Sequence, residues 1–354
     1  MQLEQVAFSS LKGFETDRVD ETFALFRQMA VHELSGCTSL RRALSPSPDL
    51  RAVFQKAITA GALSDLKARD FFKTHFQPFR VHTDPAGFVT GYYEPEVEGA
   101  LQASADFSAP IIARPGDLLT LSEMQDGLMA LRRLPNGGLA PYPTRAQIEN
   151  GQVAGLESLV YLKDMVEVFL IQVQGSARIR LPDGQCLRLR YDGRNGHPYT
   201  SIGRILIEQG EIGQSEMSLA QLKSWLRDNG LEPGGRARAI MQTNQSYIFF
   251  ARDDILTEAQ GPIGGAGQSL YPLRSLAVDR SLWSYGLPFW LEADFHLEQT
   301  GSESFSRLML AHDTGSAIVG AARGDLFLGT GETAGYHAGN IRHAAQFTVL
   351  LPKP

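Results

Sequence analysis

Cysteine is scarce in this chain, with only Cys37 and Cys186 among 354 residues. The two lie far apart, one beside a helical pattern and one within a strand pattern. They read as ordinary buried thiols rather than as a disulfide, and their number says little about compartment. No apolar run approaches the ~20 residues that a membrane-spanning helix needs. The first residues, MQLEQVAFSSLKGFETD, lack both a basic stretch and an apolar core, so no signal peptide is visible. The numbered chain is therefore expected to be soluble; if the protein is exported, its targeting segment has been removed or replaced by Met1. Low-complexity tracts and long charge runs are absent as well. Without clustered Lys and Arg on one face there is no nucleic-acid footprint, and the formal net charge of -6 comes from interspersed residues. A polysaccharide ligand would then be held by hydrogen bonds and stacking rather than by bulk attraction.

Turn formers are abundant: Gly 35 and Pro 18 favour a β-rich protein over a helical bundle. At 354 residues, two domains are the prior expectation. The N-terminal part reads as helical. Residues 19–34 place Phe23, Leu25, Phe26 and Met29 at helical spacing, and a second helix covers about 50–60. A third follows Ser64 as N-cap, with Leu66, Phe71 and Phe72 inward. At Phe79 the period changes to two, and 79–82 and 88–93 read as a hairpin around Asp84-Pro85-Ala86-Gly87.

From about Val97 to Arg238 the texture changes again. A short helix at 144–150 carries a Thr-x-x-Gln capping box. Residues 166–173 and 177–181 read as strands, followed by an Asp183-Gly184 turn and a strand at 186–191. A helix at 201–209 ends at Gly210, and another opens with the Ser218–Gln221 box and stops at Asn229-Gly230. The remainder returns to strands at 247–250, 276–278, 288–293, 307–311, 325–328 and 347–351, separated by glycines. With no helix periodicity among them to supply crossovers, a closed β-barrel is the better architecture.

Two groups of residues can carry chemistry. Asp279, Asp313 and Asp325 each adjoin an apolar strand pattern, and glycines near the latter two allow close backbone approach. If the three converge on a cleft, repulsion and desolvation raise the pKa of at least one, as a proton donor to a glycosidic oxygen requires. From spacing alone, turn aspartates bonding local amides are the favoured reading for any single one, and a metal site is a third, though no ligand spacing or calcium loop supports it. The second group is polar and aromatic: Gly91–Pro95, Gln172–Ser176, Tyr191–Tyr199 and Gln242–Tyr247. Amides and tyrosines suit a sugar chain, while a solvated sheet face explains them as well. The glycine-rich 329–335 is no dinucleotide fingerprint. His197, His312 and His337 form no ligand set, and no Gly-x-Ser-x-Gly elbow exists.

Gly91-Tyr-Tyr-Glu-Pro, Val173-Gln-Gly-Ser, Asn195-Gly-His-Pro-Tyr-Thr-Ser-Ile-Gly, Ala277-Val-Asp-Arg and Asp313-Thr-Gly-x-Ala-Ile-x-Gly…Asp325-Leu-Phe stand in that order over about residues 85–351. Together they resemble the membrane-bound lytic murein transglycosylase A family, and the last piece resembles the three-aspartate domain of cell-wall-active proteins. The resemblance implies a mainly β fold with peripheral helices: a double-psi β-barrel catalytic domain from 1–98 and 239–354, a smaller substrate-binding β-barrel inserted over 99–238, and a groove between them for glycan. It implies cleavage of the β-1,4 bond between N-acetylmuramic acid and N-acetylglucosamine, closing a 1,6-anhydro ring. Asp325 would be the acid/base, with Asp313 and Asp279 in support.

The substrate-binding candidates are Tyr92, Tyr93, Glu94, Gln172, Gln174, Gly175, Ser176, Asn195, Gly196, Tyr199, Asn244, Ser246 and Tyr247. No cofactor or metal is expected. The partners would be peptidoglycan strands and cell-wall synthesis or division proteins, never nucleic acid, and the chain would act as a monomer in the cell envelope or periplasm. Family members are typically outer-membrane lipoproteins, but Cys37 follows a helix rather than an apolar signal, so no lipid anchor is visible. Two alternatives stay open: an inverting β-1,4-glycan hydrolase with Asp313 as base, and a non-catalytic glycan-binding module.

Overall fold

The structure, a computed structural model, describes residues 1–125, 128–253, 260–295, 297 and 304–354. The chain divides into two units. The first joins Met1–Tyr93, Glu258–Gly329 and Asn340–Pro354; the second joins Glu94–Thr257 and Thr330–Gly339.

After β1 (Gln2–Gln5), three helices follow: α1 (Val19–Leu34), α2 (Pro48–Ala60) and α3 (Asp65–His75). Ser47 caps α2 by accepting from the Leu50 amide at 3.1 Å, with Pro48 at the first helical position. The buried stripe of α1 (Phe23, Phe26, Met29) meets Phe54, Phe71, Phe72 and Phe76 in a cluster of tilted and edge-on rings. Leu66 departs from expectation, being 72% exposed. Ala68 and Phe72 define the inward stripe, and Leu66 lies two residues before Ala68, roughly 200° around the helix.

The expected hairpin does not form. β2 (Phe76–His82) and β3 (Phe88–Glu94) both pair with the C-terminal strand instead, each at a different end of its eleven residues. Gly87 passes so close to that strand that a Cβ there would lie 2.4 Å from the Ala345 carbonyl oxygen.

The second unit contains β4 (Glu96–Ala100), β5 (Ala109–Ile112), β6 (Leu118–Gln125), β7 (Leu128–Arg133), β8 (Leu139–Pro141), α4 (Arg145–Glu149), β9 (Ser158–Leu162) and α5 (Met165–Gln174). It continues with β10 (Ser176–Arg180), β11 (Cys186–Arg194), α6 (Ile202–Glu208), α7 (Leu219–Asp228), α8 (Arg236–Thr243) and β12 (Ile248–Arg252). Its strands form a sheet in the order β12-β11-β10-β4-β9-β5 and a smaller one, β6-β7-β8. The caps at Thr144 and Ser218 form as the sequence indicates, whereas Ser64, at the N-cap of α3, makes no side-chain cap bond.

Residues 166–173, expected as a strand, are the body of α5. Asp164 caps it by accepting from the Glu167 amide at 2.9 Å, and Gly175 ends it in the left-handed region at φ 85°. The misreading has a physical cause. Val168 and Ile171 face one apolar cluster while Val166, Phe169 and Leu170 face another, so the helix is apolar nearly all round and shows no stripe.

Returning to the first unit, β13 (Ser275–Val278), β14 (Pro288–Ala293), β15 (Phe305–Asp313), β16 (Arg323–Thr330) and β17 (Arg342–Pro352) complete a sheet in the order β1-β2-β17-β14-β15-β13-β16-β3. The β17–β3 pairing closes six of these strands into a ring. Before β17 comes α9 (Glu332–Asn340), which the sequence did not signal because it buries only Ala334, Gly335 and Ala338. Cys37 and Cys186 are exposed thiols, not buried ones. Cys37 sits in the loop after α1, and Cys186 opens β11 just past a turn.

One buried ion pair fastens α1 to the sheet. Arg274 holds Asp17 through two bonds of 2.8 and 2.9 Å, and both side chains are 2% exposed. Asp17 also accepts from the Leu308 amide at 2.9 Å, and Thr22 donates to the Leu308 carbonyl at 2.7 Å. Removing one partner strands a buried charge. Asp17→Ala is expected to cost about 3–5 kcal/mol in urea denaturation; a loss under about 1 kcal/mol, the worth of a surface pair, would remove this clamp from the account.

Candidate active site

Strand β13 brings the two aspartates into register. Ala277 pairs with Asp325 of antiparallel β16 on one side and with Asp313 of parallel β15 on the other. The two aspartates are thus two strand spacings apart, roughly 10 Å at the backbone. Next to β16 lies β3, where Thr90 and Tyr92, two residues apart, point to one face. The Thr90 hydroxyl donates to Asp325 Oδ1 at 2.7 Å, and the Tyr92 hydroxyl donates to Asp313 Oδ2 at 2.8 Å. The Tyr92 ring packs on Phe327, two residues beyond Asp325, with centroids 5.4 Å apart.

The environments of the two carboxyls differ. Asp313 Oδ1 accepts from the amides of Gly265 at 2.7 Å and Thr314 at 2.8 Å, so with Tyr92 it has three donors. A Cβ on Gly265 would come within 2.5 Å of the Tyr285 hydroxyl, so glycine is required for this approach. Among the described residues Asp325 accepts one side-chain hydrogen bond, from Thr90, and burial pushes its carboxyl up to about 6. Arg323 and the Thr90 hydroxyl pull it down, while the charge of Asp313 adds to the rise. Arg323 does not touch Asp325 directly in the hydrogen-bond pattern: its Nη2 donates to Thr90 Oγ1 at 2.7 Å. Thr90 therefore stands between the guanidinium and the carboxyl. Sequence reasoning missed Thr90 and Arg323, although each lies two residues from a predicted site residue on the same strand.

Asp279, 7% exposed, has a different position. It accepts from the Ser281 amide and hydroxyl at 2.9 and 2.6 Å and from the Gly320 amide at 2.8 Å, tying two loops together just past β13. Among the described residues no group of three or more His, Cys, Asp or Glu side chains is placed to hold a metal ion. His312 is a core residue, held neutral by burial at a pKa of about 4.

The remaining predicted residues are scattered through the second unit or enclosed. Tyr93 is buried. Glu94, fully enclosed, meets Arg178 at 3.0 Å and Arg188 at 2.9 Å and accepts from Thr330 at 2.9 Å. Asn195 is also fully enclosed: its amide donates to the carbonyls of Pro143 and Gln245 and accepts from the Tyr247 amide. Asn244 accepts from the amides of Thr200 and Ser246, while the buried Arg145 guanidinium reaches the Asn244 and Ser246 carbonyls and lies over the Tyr247 ring. Gly196 approaches Ala130 so closely that a Cβ would lie 2.4 Å from its nitrogen. Gln172 and Ser176 are buried at the end of α5 and the start of β10, with Gly175 as the cap between. As placed, Asn195 and Asn244 bond the backbone of neighbouring loops. Tyr92, Gln174 and Tyr199 are half-buried.

Two family models match the chain: the MltA specific insert domain over residues 88–251 and the 3D domain over residues 274–351, which contains all three aspartates. A membrane-bound lytic murein transglycosylase from Agrobacterium tumefaciens is 33% identical, with a TM-score of 0.88 over 99% of this chain and 98% of that one. The chain belongs to the membrane-bound lytic murein transglycosylase A family. MltA from Neisseria gonorrhoeae is 28% identical, with a TM-score of 0.79 over 99% of this chain and 92% of that one. The curated MltA of Escherichia coli (strain K12) is 30% identical over 75% of this chain and 66% of its own length. The chain thus spans just under two thirds of that relative.

The raised Asp325 carboxyl has a stability consequence. In the unfolded chain an aspartate ionises near pH 3.9; in the folded protein Asp325 ionises near 6. The folded state therefore binds more protons across this window, and stability falls as pH rises from about 4 to 6. Asp325→Asn, which cannot ionise, is expected to raise the melting temperature at pH 8 and leave it unchanged at pH 3. Equal shifts at both pH values would show that burial of the charge is not the cause.

Proposed function

We propose that this member of the MltA family is a lytic transglycosylase that cleaves the glycan strands of peptidoglycan, with Asp325 as its single acid/base. The observation that carries the reading is a carboxyl ionising near neutral pH beside a second carboxyl whose oxygens are already occupied. A glycosidase that uses water needs two working carboxyls, one to protonate the leaving oxygen and one as nucleophile or base. A carboxylate offers about four acceptor positions, and Asp313 has three filled from within the chain. That favours a reaction needing one.

Protonated Asp325 donates to the oxygen bridging N-acetylmuramic acid and N-acetylglucosamine; the C1–O bond breaks and the glucosamine 4-hydroxyl leaves. The muramoyl 6-hydroxyl then attacks its own C1, and its proton passes to the Asp325 carboxylate, restoring the acid. No water is consumed, and proximity of the sugar's own hydroxyl replaces a second protein base. The fixed charge of Asp313 steadies the oxocarbenium-like state. Thr90 holds the Asp325 carboxyl in place through both protonation states. Asp279 supports the site by fixing the loop after β13.

The same reading takes the six-strand ring as a double-psi β-barrel that carries the chemistry and the inserted unit as the smaller, substrate-binding domain. The names of its relatives support a place in the cell envelope. No helix among the described residues is long and apolar enough to cross a membrane.

Asp325→Asn is expected to abolish release of 1,6-anhydromuropeptides from purified peptidoglycan, read by mass spectrometry, while sedimentation with the polymer persists. In the native protein kcat/KM should fall tenfold per pH unit well above pH 6 as the acid is lost. Products that carry the extra water of hydrolysis, or near-normal activity in the variant, would sink the assignment.

A further inference from the structure

Apart from the Asp325 cluster, the first unit holds a cavity of about 650 Å³ bounded by β2, β14, β17 and the segment around Lys12. Strand register relates its lining residues to the enclosed Thr348 and Trp290, which do not line it. Arg80 of β2 faces Thr348 of β17, which faces Trp290 of β14. Two residues along, Gln346 faces Glu292, which faces Ser306 of β15. Because side chains alternate, all of these share one face of the sheet.

Four polar atoms on that face are buried without a hydrogen-bond partner: Arg80 Nε, Thr348 Oγ1, Trp290 Nε1 and Glu292 Oε2. Trp290 and Thr348 are fully enclosed. Such groups in native proteins normally have a partner, and an unpaired one costs about 1–3 kcal/mol. Of these residues Arg80 and Glu292 line the cavity, where a partner from outside the chain can reach them. Arg80 and Glu292 carry opposite charge and line the same cavity, yet among the described residues no ion pair joins them. They lie on strands either side of β17 and two residues out of register, roughly 12 Å apart at the backbone. Lys12 also lines the cavity and its backbone amide donates to Glu292 Oε1 at 3.3 Å, while His82 meets Glu4 at 2.8 Å. The volume falls within the roughly 300–1,000 Å³ of small-molecule sites.

We propose that this cavity binds a small zwitterion, an amino acid or a short peptide with free ends, with its carboxylate on Arg80 and its ammonium on Glu292. Calorimetric titration of the full chain with dialanine, N-acetyl-dialanine and dialanine amide tests this. Saturable binding of dialanine is expected, with each blocked form weaker by about 10- to 100-fold, the worth of a hydrogen bond to a charged group. Arg80→Ala and Glu292→Gln should weaken dialanine similarly.

If either variant fails to fold, the native chain still decides, because it has three tryptophans. The indole N–H resonance of Trp290 should shift with dialanine, while that of Trp283, already bonded to the Ala321 carbonyl at 3.0 Å, stays in place. No saturable heat with an unmoved Trp290 resonance would overturn the proposal. So would N-acetyl-dialanine binding as tightly as dialanine, which would mark a plain anion site.

Discussion

Strand β13 has only four residues, all buried, and both aspartates of the site take their positions from its register. Side chains alternate with a period of two, so a slip of one residue would turn Asp325 away from Thr90 and into the apolar interior occupied by Leu326. So short a strand has few ladder bonds to resist that slip. Its two ends supply what its length does not. At the start, Arg274 is locked to Asp17 and Glu21. At the end, Asp279 accepts three hydrogen bonds from two loops. The residue before Arg274, Leu273, sits at φ 58°, an uncommon conformation for leucine that persists only where its surroundings over-determine it. The clamp on Arg274 and the Leu273 amide bond to Phe327 at 2.8 Å provide that.

The same constraint sorts the predicted polar residues by role. Buried donors and acceptors must be satisfied, and the cheapest way to fix an irregular loop is a side chain with several bonding positions. Asn195, Asn244 and Arg145 do this in the second unit, each reaching backbone groups on other segments. Motif strings rich in amides and tyrosines thus contain two populations that look alike in sequence. One population scaffolds loops; Tyr92 instead bonds Asp313. Only enclosure separates them.

Legibility in the sequence followed the locality of the physics. Helix caps are decided within four residues, and those at Thr144 and Ser218 were readable as written. The strands of β14 and β16 were readable because apolar runs and glycines bound them. Helix α5 was not, since enclosure between two apolar clusters erases the stripe that marks a helix. The pairing of β2 and β3 with β17 was not, because a partner some 260 residues downstream leaves no local trace. Asp325 and Asp313 were visible as strand-end aspartates, but spacing alone could not tell them from turn residues. The distinction needed Ala277, which neither aspartate neighbours in sequence.

The charge state of Asp325 is a balance between opposed effects. Burial and the Asp313 charge disfavour its ionised form; Arg323 and the Thr90 hydroxyl favour it. Were Arg323 bonded directly to Asp325, the charge-assisted contact would dominate and hold the carboxyl ionised. With Thr90 interposed, the guanidinium acts at longer range and orders the hydroxyl, whose hydrogen bond orients the carboxyl whether or not it carries a proton. Arg323 is itself held down by burial and lies over the Phe88 ring with 5.7 Å to the centroid, which further limits its reach. The proposed reaction asks Asp325 both to give and to recover a proton, which needs such an intermediate affinity, and among the described residues no second ionisable side chain bonds it directly.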